Sequence, residues 1–196
     1  MTVNVQKRRR YRVRRMTREL PAEREISPGR RLYMLLTVIA AAGVFAGAYS
    51  YSGGEINAGG GFVSAFVTSL CSVGIYVLLF FFGGLSAVGQ PMGYILCFFK
   101  GLGTGYLAAY AACAMKSGDV CAALNILPFE AVSMVTVILG ARENIRMSSY
   151  ISGRSFGASG EASDEGSLRL YLAKFALILL TGIAAAAMRG LMAAVL

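Results

Sequence analysis

Long apolar runs alternate with short polar segments along the chain. The runs cover about Leu32–Tyr51, Phe62–Phe82, Met92–Met115, Val120–Ala141 and Leu170–Met188. An α-helix needs about 20 apolar residues to cross the hydrocarbon core of a bilayer, and each run supplies roughly that many. The pattern predicts an all-α fold: a polytopic membrane helical bundle of five transmembrane helices, residues 32–196, behind a polar tail, residues 1–31. Pro21 and Pro28 prevent a continuous helix through the tail, which leaves room for a short interfacial helix.

Small residues mark the faces where these helices should meet. Gly43 and Gly47 are four apart in the first run, as are Gly101 and Gly105 in the third, where Ala108 and Ala112 extend the face. Gly182, Ala186 and Gly190 repeat the spacing in the fifth. Such spacing lets helix backbones approach closely. The second run ends in Leu78-Leu79-Phe80-Phe81-Phe82, a bulky face suited to lipid. Pro91 fits a helix N-terminus, and Pro128 removes a backbone hydrogen bond near the middle of the fourth run.

The connections read as loops. Ser52–Gly61 is glycine-rich with one charge, Glu55, and Lys116–Asp119 (KSGD) is a tight polar turn. Arg142–Arg169 is Gly/Ser-rich and reads as a flexible linker. Its acidic residues Glu161, Asp164 and Glu165 lack metal-loop spacing, so a solvated loop is expected there and no metal site.

Charge adds an orientation. The formal net charge is +9, of which residues 1–31 carry +8 and the rest +1. A basic tail beside a first span is what the positive-inside rule places in the cytoplasm. The 142–169 segment then lies on the same side with Arg142, Arg146, Arg154 and Arg169, while the opposite loops offer only Lys116. Both biases predict a cytoplasmic N-terminus and a C-terminus across the membrane. Lys7–Arg15 (KRRRYRVRR) also suits an anionic lipid surface or a nucleic acid; retention of the tail in the cytoplasm accounts for it without either, and no nucleic-acid partner is expected.

Two charges sit inside the apolar runs. Lys100 lies about 12–14 Å from the start of the third span and Glu130 about 15 Å from the start of the fourth, at 1.5 Å per residue. The spans are antiparallel neighbours across the KSGD turn, so the two charges fall at similar depth. A structural ion pair is expected, one that offsets part of the cost of burying each charge. The alternative is a transport or proton path through Lys100 and Glu130, as in a small transporter or channel subunit. Asn125, Ser133, Thr104 and Thr136 lie near that depth but form no clear relay in sequence.

Catalytic chemistry is not expected. The chain has no His, which removes the commonest general base and metal ligand. HExxH, GxSxG and Walker A motifs are missing, and Gly101–Ala108 (GLGTGYLA) departs from GxGxxG at Tyr106. No cofactor is implied. Cys71, Cys97, Cys113 and Cys121 lack CxxC spacing and read as small buried side chains, with a Cys113–Cys121 bridge as the alternative in an oxidising compartment.

The segment around Lys100 resembles a known family. Gly84-Leu85-Ser86-Ala87-Val88-Gly89-Gln90-Pro91 leads to Phe98-Phe99-Lys100-Gly101-Leu102-Gly103-Thr104-Gly105-Tyr106, then to Leu124-Asn125-Ile126-Leu127-Pro128. In order and spacing these are similar to the stage II sporulation protein M family of spore-forming bacteria, over roughly residues 30–190. The family's frequent second proline in the fourth span has no counterpart in Ser133–Leu139, and the first outer loop is short. The resemblance implies a scaffold without hydrolytic activity in the mother-cell or septal membrane. Its partners would be the cell-wall hydrolases of septal thinning and engulfment, a lytic transglycosylase and an amidase. The small-residue faces leave a homo-oligomer open as well.

Overall fold

The computed structural model describes residues 28–53, 61–86, 89–155 and 164–195. The sequence-based expectations for residues 1–27, for Glu55 and for the Gly/Ser segment 156–163 lie outside the described residues. Leu32–Leu196 is a compact unit separate from Met1–Arg31. Its described residues are helical, without strands. The helices are α1 (Pro28–Tyr49), α2 (Phe62–Gly84), α3 (Gly89–Lys116), α4 (Val120–Ser155) and α5 (Asp164–Val195). All five are long and apolar enough to cross a membrane.

Two boundaries differ markedly from the sequence reading. α4 does not stop near Ala141 but continues to Ser155, and α5 begins at Asp164 rather than Leu170. The supposed linker is therefore helical on both flanks. The reason is packing: Asn144, Ile145 and Ser148 stay buried beyond the apolar run, so the amphipathic continuation has a surface to fold against. Pro128 lies within α4 without ending it. Ile126 and Phe129, before and after it in sequence, are fully buried, so the helix is anchored in the core on both sides of the missing bond.

The KSGD turn joins α3 to α4. Gly118 takes φ of 92°, a left-handed value that suits glycine and closes the C-terminus of α3. The Asp119 carboxylate then accepts a hydrogen bond from the Ala122 N–H at 3.1 Å and caps α4.

α1 and α3 meet backbone to backbone. A methyl group at Gly43 would overlap the Phe98 carbonyl oxygen, and one at Gly47 the backbone of Leu102. One at Gly101 would press on the Ala40 carbonyl, and one at Gly105 would overlap Val44. The two pairs of glycines thus interlock as one interface. On the opposite side of α3, Gly103 faces open space. The α5 face is looser: a methyl at Gly182 would meet only the Val73 side chain, and Ala186 is fully buried. Around this core, large apolar side chains such as Phe45 and Val38 point outward, 77% and 67% exposed. Such an apolar exterior is the composition of an integral membrane protein.

Candidate functional site

Halfway along the bundle, α3 and α4 bring Lys100 and Glu130 together. Lys100 Nζ lies 3.0 Å from Glu130 Oε2, and each residue is only 4% exposed. Thr104, one turn beyond Lys100, donates to the same carboxylate oxygen at 2.7 Å. Ser133, one turn beyond Glu130, lies 3.5 Å from it and also donates to the Glu130 carbonyl at 3.0 Å. One carboxylate oxygen, Oε2, therefore collects an ammonium and two hydroxyls from two helices, partners that offset the cost of holding a charge away from water.

Of the four polar residues expected near this depth, Thr104 and Ser133 join the charge pair. Thr136 instead donates to the Val132 carbonyl of its own helix at 2.9 Å. Asn125 Oδ1 is buried without a hydrogen-bond partner. The convergence of Thr104 and Ser133 was available from spacing alone, since residues three or four apart share a helix face.

Arg189 follows directly on the fifth apolar run, a position that suggests the far interface. Its guanidinium turns inward instead, 5.1 Å above the Phe129 ring, with Nη1 donating to Ser69 Oγ at 3.1 Å. Its Nε is buried without a partner. The centre thus holds two cations and one carboxylate. Arg189 adjoins Gly190 on the small-residue stripe of α5, a hint in the sequence that it lies beside a packing face.

A second polar cluster lies at the end of the bundle where α2 turns into α3. Glu143 of α4 is 8% exposed and meets three cations. Arg142 Nη1 is 3.2 Å and Arg146 Nη1 3.4 Å from Oε1, and Lys174 Nζ of α5 is 2.9 Å from Oε2. Arg142 also donates to Tyr33 Oη at 2.8 Å and lies 4.3 Å above the Tyr33 ring. Beside this cluster, side chains of α4 and α5 donate to carbonyls at and just beyond the last turns of α2. Asn144 Nδ2 donates to the Phe80 oxygen at 2.9 Å, Tyr171 Oη to the Phe81 oxygen at 2.9 Å, and Ser148 Oγ to the Ser86 oxygen at 2.8 Å. Nothing in the sequence singled out these residues, because their partners lie 60 or more positions away.

Among the described residues, no three His, Cys, Asp or Glu side chains are grouped closely enough to hold a metal ion. The four cysteines are free, and only Cys97 is buried. Comparison of the chain with protein-family models, with characterised proteins and with solved structures finds no match.

Proposed function

We propose that this protein is a membrane scaffold of the stage II sporulation protein M type. It crosses the membrane five times with the N-terminus in the cytoplasm. It holds peptidoglycan-degrading enzymes, a lytic transglycosylase and an amidase, at the septal membrane during engulfment, and carries out no hydrolysis itself. Support for the partners comes from the resemblance around Lys100. Support for a structural interior comes from one observation above all: the Lys100–Glu130 pair is buried and ringed by its own hydroxyl donors. A charge pair held in this way fixes the register of α3 against α4, and the interlocked glycines fix α1 against α3.

The test is affinity purification of the full-length tagged protein from sporulating cells, paired with a deletion strain. Co-purification of wall hydrolases and a block in engulfment support the scaffold. Purification without any wall hydrolase overturns it.

A second reading has its own observation. A second cation, Arg189, reaches the Phe129 ring beside Glu130, and two buried polar atoms nearby in the sequence or the fold, Asn125 Oδ1 and Arg189 Nε, have no hydrogen-bond partner. On that reading the protein is a small transporter or channel subunit. Solute flux in proteoliposomes that is abolished by Lys100→Ala would favour it, and its absence would exclude it.

A further inference from the structure

The Glu143 cluster has a negative floor and a positive rim. The Glu143 side chain is 10% exposed, whereas those of Arg142, Lys174 and Arg146 are 24%, 33% and 52% exposed. One carboxylate can balance one of three positive charges, and among the described side chains no other acid meets these cations. The surplus of two therefore belongs to the accessible part of the cluster. Arg146 and Lys174 each use a single nitrogen on Glu143 in the contacts described, so donors remain on both. A guanidinium beside an ammonium suits a phosphate, the first as a planar fork and the second as a point charge.

The level of the cluster narrows the ligand. Arg142 follows directly on the apolar stretch of α4 that ends at Ala141, and Lys174 sits near the start of the apolar stretch of α5. On the two helices that reach the cluster through Tyr33 and Lys174, apolar side chains face outward nearby: Met34 on α1, and Leu170 and Leu177 on α5, four residues before and three after Lys174. A ligand at this boundary gains from a negatively charged head and an apolar tail together. Basic clusters at the cytoplasmic ends of membrane helices recognise lipid head groups in this manner. Free phosphate would use the rim and leave the apolar flanks uncovered.

We infer that Arg142, Arg146 and Lys174 form a binding site for the phosphate of an anionic phospholipid, whose acyl chains lie along α1 and α5. The site is independent of the scaffold reading: it would serve any protein that must settle in an anionic leaflet.

The test uses full-length protein in neutral detergent micelles, titrated with phosphatidylglycerol and followed by thermal unfolding in circular dichroism. Phosphatidylcholine and inorganic phosphate are the reference titrants. The expected result is a rise in the melting temperature with phosphatidylglycerol alone, because a ligand that binds only the folded state stabilises it. Arg146→Gln/Lys174→Gln, two partly exposed positions, should fold and weaken the apparent phosphatidylglycerol affinity at least five-fold. Arg30→Gln/Arg31→Gln removes the same charge from exposed positions of α1 and should change it less than two-fold. Equal losses in the two double variants would overturn the site, since net charge would then explain binding. So would a response to inorganic phosphate or phosphatidylcholine as large as that to phosphatidylglycerol.

Discussion

Glu130 and Glu143 lie on the same helix, about 20 Å apart along its axis at 1.5 Å per residue. Each is nearly buried, yet their surroundings differ. Glu130 faces one ammonium and two hydroxyls, with Lys100 buried as deeply as itself. Glu143 faces three cations that are all more exposed than it is. Arg189 does add a cation near Glu130, with Nη1 on Ser69 and the guanidinium over the Phe129 ring. The difference concerns where charge is settled. Around Glu130 the charge is settled inside the chain, by an ammonium as buried as the carboxylate itself. Around Glu143 a surplus is presented outward, where it can act on something that is not part of the chain.

The sharpest way to break this contrast is to remove one acid at a time. Glu130→Ala leaves Lys100 buried without a counter-charge, and removing one partner of a buried pair costs about 3–5 kcal/mol. Denaturant or SDS unfolding should show that loss, and Lys100→Met/Glu130→Met should recover most of it. A double variant as unstable as the single would mean that Lys100 and Glu130 do not act as a pair.

Next in size is the glycine interface that holds α1 beside the centre. Gly101→Ala presses a methyl on the Ala40 carbonyl and should destabilise by about 1–3 kcal/mol, as overpacking does. Gly103→Ala, two residues away in open space, should instead stabilise by up to about 1 kcal/mol through helix propensity. The opposite signs are the test; equal effects would place the α1–α3 contact elsewhere. At the other end, Asn144→Ala removes the shorter of two side-chain hydrogen bonds to the Phe80 carbonyl and should cost about 0.5–1.5 kcal/mol in the same unfolding assay. Smallest is Arg146→Gln. Its pair with Glu143 is half exposed, and such pairs contribute about 0–1 kcal/mol. A large stability loss there would make the outer cluster as structural as the inner one and erase the contrast.

The helices themselves were legible because apolar runs of membrane length carry their own signal. Lys100 and Glu130 were legible together because a four-residue turn sets their relative depth. The glycine pairs identified two close-packing faces, but not that Gly43 and Gly47 meet Gly101 and Gly105, since α2 separates them in sequence. Arg142-Glu143 was harder. Adjacent opposite charges after an apolar run look like the start of a solvated loop, and Lys174, the partner that reaches Glu143 from another helix, lies 31 residues on. The inward contact of Arg189 was hidden for a related reason: it sits near the end of a span, while Ser69, 120 residues earlier, supplies the partner.

The interlocked glycines also bear on the timing of synthesis. α1 leaves the ribosome first, but the backbone it fits belongs to α3, and α2 must be made in between. At about 5–20 residues per second, the stretch from Gly47 to Gly105 takes on the order of 3–12 s to appear. Throughout that interval the groove of α1 is without its mate. A nascent chain stalled within α2 would therefore display an unfilled glycine groove to any neighbouring helix, including a second copy of itself.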